Sequence, residues 1–365
     1  MKKNTLGILF LFWSQLSLAQ EAKNPEKMKK LEVGGYVDTY FSYDVSNPPS
    51  RDKPYFVSSG RHNEFTVNLA YIDFHYQSDR FRAKLTPGFG TYMNSNYAGE
   101  PQTLKNLVEA NVGIKLSNKK EIWLDMGVMG SPFTDENALS MNQLCYTRSY
   151  APEYVPYYVS GAKLTLPLSS KLIWYFWVLN GWQQIQDLNT QKSITSQLEF
   201  RPSEKLMFNW NIYVGDERSV ATPNFRKRYF TDLYMVYNPD GKFSSTVCAY
   251  IGNQKSVNQI NEEEDRIWWQ INSSVRYRFT PSWSLSSRVE YFNDPKSVQI
   301  TSINPLISGF AAGSFTLGLN YAIGKNILLR FENRNFLSFK EIYKNKNGDP
   351  SKSGQALTTS LAVTF

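Results

Sequence analysis

The 365-residue chain holds only two Cys and two His. So few cysteines exclude a disulfide-stapled scaffold, and two histidines leave no material for a multi-histidine metal site. Only one long apolar run occurs, at the extreme N-terminus, which excludes a bundle of membrane helices. No later segment sustains an apolar period of three to four residues. The charge of +8, from 40 basic and 32 acidic residues, is too small and too dispersed to suggest nucleic acid. A mean hydropathy of −0.43 describes a polar chain. Yet 41% of residues are apolar and 15% aromatic, which excludes disorder.

The N-terminus reads as a targeting segment. Lys2 and Lys3 precede the apolar stretch Leu6–Trp13, and Ser17-Leu18-Ala19 has the small–x–small pattern of a cleavage site. Residues 1–19 are therefore expected to be a secretory signal peptide, too short to be an anchor. Residues 20–32 are expected to form a polar periplasmic leader, and 33–365 the folded domain.

That domain alternates. Leu357, Thr359, Leu361, Val363 and Phe365 share one face of the final segment, with Ala356, Thr358, Ser360, Ala362 and Thr364 on the other. Period two defines a strand with one apolar face. Sixteen such runs occur: 33–44, 63–77, 80–93, 106–117, 121–131, 156–166, 171–181, 192–201, 205–215, 229–238, 242–253, 266–279, 282–293, 310–323, 326–338 and 354–365. Strands of soluble sandwiches average about 5–6 residues, whereas a tilted strand crossing a bilayer needs about 9–11. Connections alternate strictly between short turns, such as Gly324-Lys325, and long loops. All turns then lie at one end and all loops at the other. This is the layout of an all-β, transmembrane, antiparallel up-and-down barrel of about sixteen strands, with periplasmic turns and external loops.

The polar face carries charge, and about sixteen strands enclose a space too wide for their own side chains to fill. The expected pore lining includes Lys84, Glu109, Asp125, Arg276, Arg288, Glu290, Arg330, Glu332 and Arg334, with Arg82, Lys115, Lys163, Glu199, Arg201 and Arg278 on the same face. Basic residues outnumber acidic ones there, which predicts a mild anion preference. The alternative is that the charges pair across strands and leave little field. The longest connection, 132–155, carries Asp135, Glu136, Arg148 and Glu153 together with Leu139, Met141, Leu144 and Tyr146. That apolar content predicts a loop folded into the barrel as a constriction. Aromatics near strand ends (Trp182, Tyr229-Phe230, Trp268-Trp269, Trp283, Tyr291-Phe292) suggest interfacial girdles. The segment 171–181 is apolar on both faces, so its inward side is expected under a loop or against another subunit.

No catalytic set emerges. His62 with Glu64 is a conceivable base pair and His75 lies near a turn, but no G-x-S-x-G accompanies them. The acidic run Glu262–Asp265 suggests a solvated loop rather than a calcium site, and 222–228 is a basic segment able to meet lipid phosphates. No cofactor or metal is expected.

Several segments together resemble a known family: Gly34–Asp44, Arg61–Phe65 with Asn68-Leu69, Glu109–Gly113, Tyr146–Ser149, Asn180–Gln183 and Leu357–Phe365. The chain resembles the OmpL-like β-barrel porins common in Bacteroidota outer membranes. That resemblance covers the whole domain and implies an outer-membrane location without a cofactor. The expected function is passive diffusion of small hydrophilic solutes. The alternative is a non-conducting barrel serving as a docking subunit, with loops 45–62, 132–155, 294–309 and 339–353 as interaction surfaces. A porin would be abundant, a subunit stoichiometric with its partner. Expected partners are outer-membrane lipid and lipopolysaccharide, the barrel assembly machinery that reads the terminal Phe365 strand, and further copies of the chain in a homo-oligomer.

Overall fold

A computed structural model describes residues 29–258 and 260–365. The expected signal peptide lies outside the described residues. Sixteen antiparallel strands close into one barrel in chain order, β16 pairing with both β15 and β1. The strands are β1 (Lys29–Asp44), β2 (Phe65–Ser78), β3 (Phe81–Phe89), β4 (Leu107–Lys115), β5 (Trp123–Gly130), β6 (Tyr158–Pro167), β7 (Leu172–Leu179) and β8 (Ser193–Ser203). They continue as β9 (Leu206–Asp216), β10 (Phe225–Tyr237), β11 (Phe243–Val257), β12 (Glu263–Arg278), β13 (Trp283–Asp294), β14 (Phe310–Ile323), β15 (Ile327–Leu337) and β16 (Ser353–Thr364). All sixteen runs read from alternation are strands. β1 starts earlier than expected, so residues 29–32 belong to it.

The two faces separate as the alternation requires. Leu285, Val289, Leu317, Phe331 and Leu361 are exposed on the outer surface, while Arg288, Glu290, Arg330, Glu332 and Arg334 are buried inside. An apolar exterior opposed to a charged interior suits lipid outside and water or polar contacts within. Closure is made between chain ends: Gly35 and Phe365 exchange backbone hydrogen bonds of 2.8 and 3.1 Å. The Phe365 ring covers Gly35 and leaves no room for a side chain there.

Strands β3–β7 are 8–10 residues long, whereas β8–β16 run to 11–16. The long connections do not all stand outside. Loop 132–155 enters the barrel. The connection between β3 and β4 carries a short helix, α1 (Thr91–Asn96), whose Tyr92 and Met93 are buried against Tyr36, Leu69 and Tyr157. The first connection buries Lys53, Ser58 and Ser59.

Adjacent strand residues face opposite ways, and this corrects the expected aromatic girdles. Trp269, Tyr229 and Tyr291 point outward, but their neighbours Trp268, Phe230 and Phe292 are buried inside. Trp182 joins the inner set. The interior rings touch in sequence, Phe133 to Trp182 (5.5 Å between centroids), Trp182 to Phe230 (5.0 Å), Phe230 to Tyr250 (5.1 Å) and Tyr250 to Phe292 (6.4 Å). Tyr175, Trp177 and Leu179 of β7 are buried with this cluster, so the doubly apolar strand packs under the loops.

Candidate functional site

The interior is organised by how loop 132–155 is bound to β13–β15. On β15, Glu332 accepts the N–H of Tyr146 (2.5 Å), the N–H of Thr147 (3.1 Å) and the Thr147 hydroxyl. On β13, Glu290 accepts the N–H of Tyr150 (2.6 Å) and pairs with Arg334 (2.7 Å) and Arg288 (3.2 Å). The arginines bind the loop's carbonyls: Arg288 donates to Thr147, Arg334 to Arg148 (2.8 Å) and Arg330 to Gln143 (2.9 Å). Carboxylates receive the loop's N–H groups and guanidinium groups reach its carbonyls, so an irregular segment has its buried main chain satisfied. Thr134 N–H to Asp232 (2.7 Å) and Asn211 to Pro132 O (3.0 Å) fasten the loop's start to β10 and β9.

Within the loop, Arg148 acts as a strut, donating to the carbonyls of Asn137 (3.0 Å), Ala138 and Tyr146 (3.1 Å). Glu136 accepts the Ser149 N–H (2.9 Å) and lies 3.5 Å from Arg288. Glu153 joins two loops by accepting the N–H groups of Val57 (2.5 Å) and Ser58 (3.1 Å). Burial raises its carboxyl pKa, opposed by those two N–H groups. Burial likewise pushes Asp135 up to about 7, helped by the neighbouring Glu136 charge. Lys53 donates to Ser42 Oγ (2.7 Å) above the Phe56 ring; burial lowers its ammonium to about 7.

The opposite side of the interior is wetter. Arg82 forms a two-pronged pair with Asp125, both contacts 2.6 Å, and Lys163 stands 3.6 Å from the same carboxylate. Lys84 pairs with Glu109 (2.8 Å) and approaches Asp73 (3.8 Å). The side chains of Arg82, Lys84, Glu109 and Lys163 retain 13–24% of their surface, against 0–3% for Arg288, Glu290 and Arg334. Partly accessible charged side chains thus line β3–β6, and Arg201 of β8, with 27% of its side chain exposed, extends the set.

The sequence points to nine charged wall residues and four loop residues. The structure places Arg288, Glu290, Arg330, Glu332 and Arg334 against the loop, and Lys84, Glu109 and Asp125 on the wetter side. Arg276 sits apart, donating to Pro239 O at the short turn and to Ser244 Oγ (3.1 Å). Pairing across strands is partial. Arg330 makes no ion pair with Glu332, whose oxygens the loop occupies, and Arg276 and Arg278 have no ion-pair partner among the described residues. The basic segment 222–228 loses its last member to the interior. Arg228 lies between Trp182 (4.8 Å) and Trp268 (5.4 Å), with its Nε on Gln254 (2.9 Å), away from lipid phosphates. His62 does not pair with Glu64: Asp44 N–H donates to its Nδ1 and Asn47 sits at its Nε2. Glu264 and Asp265 are met by Arg266 and Lys255. Cys145 and Cys248 are both buried free thiols.

Two contributors escaped the sequence reading, the first connection and the segment around α1. Both carry large apolar side chains (Tyr55, Phe56; Tyr92, Met93, Tyr97), and apolar content is the signal that marks 132–155.

A closed sixteen-strand barrel with an apolar exterior, a charged interior and an inserted loop defines an outer-membrane porin. The chain belongs to the family described as "Putative beta-barrel porin-2, OmpL-like", whose model matches residues 30–365. No curated protein matches the sequence. Among solved structures the chain is similar to the outer membrane channel DcaP of Acinetobacter baumannii. The TM-score is 0.62 at 10% identity, over 92% of this chain and 97% of that one. An anion-selective porin from Comamonas acidovorans gives 0.57 at 10%, over 92% and 100%. The trimer form of OmpT from Vibrio cholerae gives 0.58 at 10%, over 92% and 99%. At such identities the likeness is one of fold.

Proposed function

We propose that this porin passes small hydrophilic solutes by diffusion along the β3–β6 side of its interior, narrowed by loop 132–155. The observation that carries this reading is the retained accessibility of Arg82, Lys84, Glu109 and Lys163, against the fully packed charges of β13–β15. Asp135, Glu136, Arg148 and Glu153 shape the constriction through the contacts that hold the loop. Mild anion preference would come from the partly exposed guanidinium groups of Arg276 and Arg278 at the short-turn end, which no carboxylate among the described residues meets at ion-pair distance. The reading involves no enzymatic step. It includes removal of residues 1–19, insertion by the assembly machinery, and lipopolysaccharide and lipid around the exterior. Association of copies through the outer face is part of it, supported by the trimer form of the OmpT neighbour.

Single-channel current in a planar bilayer under a KCl gradient tests it. Steady conductance with a reversal potential on the chloride side is expected; channels preferring K⁺ would remove the charge argument. One observation favours a second reading, a non-conducting docking barrel: at mid-height, Arg288 and Glu290 are wholly enclosed by the loop. Silence from demonstrably folded protein would establish that reading instead.

A further inference from the structure

Two external connections, 295–309 and 338–352, are joined to each other above β14 and β15. Asn304 Nδ2 donates to Glu341 O (3.0 Å), and Lys340 Nζ to Ser308 O (2.8 Å). Tyr55 fastens both, donating to Ile342 O (2.5 Å) and accepting the Ile303 N–H (2.9 Å). Ile342 and Tyr343 are buried, and the Tyr343 hydroxyl meets that of Tyr150 at 2.9 Å. Tyr343 and Lys344 pair with Ser351 and Pro350 in a small hairpin. The surface that these loops present is therefore held in place from the aromatic interior.

That surface combines bare apolar side chains with unpaired positive charge. Leu306 is 91% exposed and Phe339 86%. Leu337 faces outward on β15, as Phe331 does, and Phe339 follows two residues on. The 11 residues of β15 are about the length a tilted strand needs to cross a bilayer. Leu337 thus marks the outer edge of the apolar wall, and Phe339 stands at headgroup level. Polar residues lower on that wall satisfy one another: Gln355 Nε2 and Asn335 Nδ2 both donate to Asn333 Oδ1 (3.1 and 3.4 Å). Lys340 and Lys352 flank Phe339, the first as its chain neighbour and the second opposite Ser338, whose N–H donates to Lys352 O (2.8 Å). Lys344 and Lys346 lie on the hairpin, and all four lysines are exposed. The same segment has two acids, Glu341 and Asp349, and among the described residues none of the four lysines is at ion-pair distance from a carboxylate. Other cations of the external loops and rim are paired: Lys255 with Asp265 (3.3 Å), Arg218 with Asp216 (3.7 Å), Lys296 with Glu264 (3.8 Å) and Lys192 with Asp187. Apolar side chains beside unpaired ammonium groups match a lipid whose acyl chains are joined to a phosphate-bearing headgroup.

We propose that the joined loops 295–309 and 338–352 dock a phosphorylated lipid of the outer leaflet, of lipid A chemistry. Leu306, Leu337 and Phe339 meet its acyl chains, and Lys340, Lys344, Lys346 and Lys352 meet its phosphates. Continuity of Leu337 and Phe339 with the lipid-facing wall of β15 favours a lipid over a protein partner. The site rests on the proposed function in that lipopolysaccharide surrounds the exterior, and it concentrates that contact on one side of the rim. It does not depend on conduction.

The test is native mass spectrometry of the full chain in detergent, titrated with purified lipid A and, in parallel, with dephosphorylated lipid A. Saturable binding of lipid A is expected. It should weaken about tenfold or more in a variant combining Lys340→Gln, Lys344→Gln, Lys346→Gln and Lys352→Gln, and as much on removal of the phosphates. Phe339→Ser with Leu306→Ser should weaken it too, whereas Lys192→Gln and Lys255→Gln, at paired cations, should leave it unchanged. All these side chains are on the surface, so the barrel is expected to fold in each variant. Equal binding by the parent and the fourfold variant, or of lipid with and without phosphates, would overturn the site. Full competition by inorganic phosphate would also overturn it, in favour of a site for the free ion. So would silence toward lipid A combined with a protein partner that the parent retains and the fourfold variant loses. The same samples are then run in bilayers. Binding with no conductance would keep the site and reject the channel; conductance with no binding would do the reverse.

Discussion

The carboxylate of Glu332 holds the main chain of Tyr146 and Thr147, with the Tyr146 N–H at 2.5 Å and the Thr147 N–H at 3.1 Å. A side chain on the barrel wall thereby substitutes for the strand neighbour that an irregular loop lacks. Glu332→Ala should orphan two buried N–H groups and cost roughly 2–4 kcal/mol. The loop would come loose, raising single-channel conductance and open-channel noise. Thermal melts and bilayer recordings check both; a quiet, unchanged channel would mean the contact does not restrain the loop.

Lys53 predicts a pH dependence. Burial lowers its folded-state value to about 7 from an ordinary 10.5. Between those values the unfolded chain binds the proton and the folded chain does not. Stability from this group therefore rises with pH across that window, and the cost of burying the ammonium is full below it. Melting temperatures from pH 6 to 10 should climb more steeply for the parent than for Lys53→Met. Parallel curves would contradict the burial of Lys53.

Trp268 and Trp269 are neighbours with opposite fates, one enclosed and one 37% exposed on the outer face. Trp268 also covers Gly252 and flanks Arg228. Trp268→Ala should cost about 3–5 kcal/mol, as for a buried aromatic, and Trp269→Ala less than half of that. Equal losses in denaturant unfolding would mean the two faces of β12 are assigned wrongly.

Asp125 is the acid that serves two bases on the accessible side, Arg82 at 2.6 Å and Lys163 at 3.6 Å. Asp125→Asn should free both cations and move the reversal potential further toward chloride. Arg82→Gln should move it the other way. Shifts in the same direction would show that these residues do not face the permeating ion.

Most of the fold was legible because period-two alternation is enforced residue by residue. Leu357 to Phe365 cannot slip by one without turning every apolar side chain inward. The turn–loop alternation then fixed direction and closure. The inserted loop was legible from Leu139, Met141, Leu144 and Tyr146, since apolar residues in a long connection need cover. What sequence concealed was partnership. Nothing in the spacing of Glu332 and Tyr146, 186 residues apart, reveals that one binds the other's N–H. Adjacent aromatics such as Tyr229-Phe230 looked like one girdle because two neighbouring rings were read as a unit, whereas the pleat separates them. Arg228 looked like a loop cation because β10 begins earlier, at Phe225, than its apolar run suggests.

Loop 132–155 fills the barrel interior and, in the proposed function, narrows the path through it. The most direct measurement compares single-channel conductance of the parent protein with that of a variant lacking residues 136–150, both shown to be folded barrels. A marked rise in conductance on deletion is predicted. Unchanged conductance would contradict it and place the loop outside the conducting path.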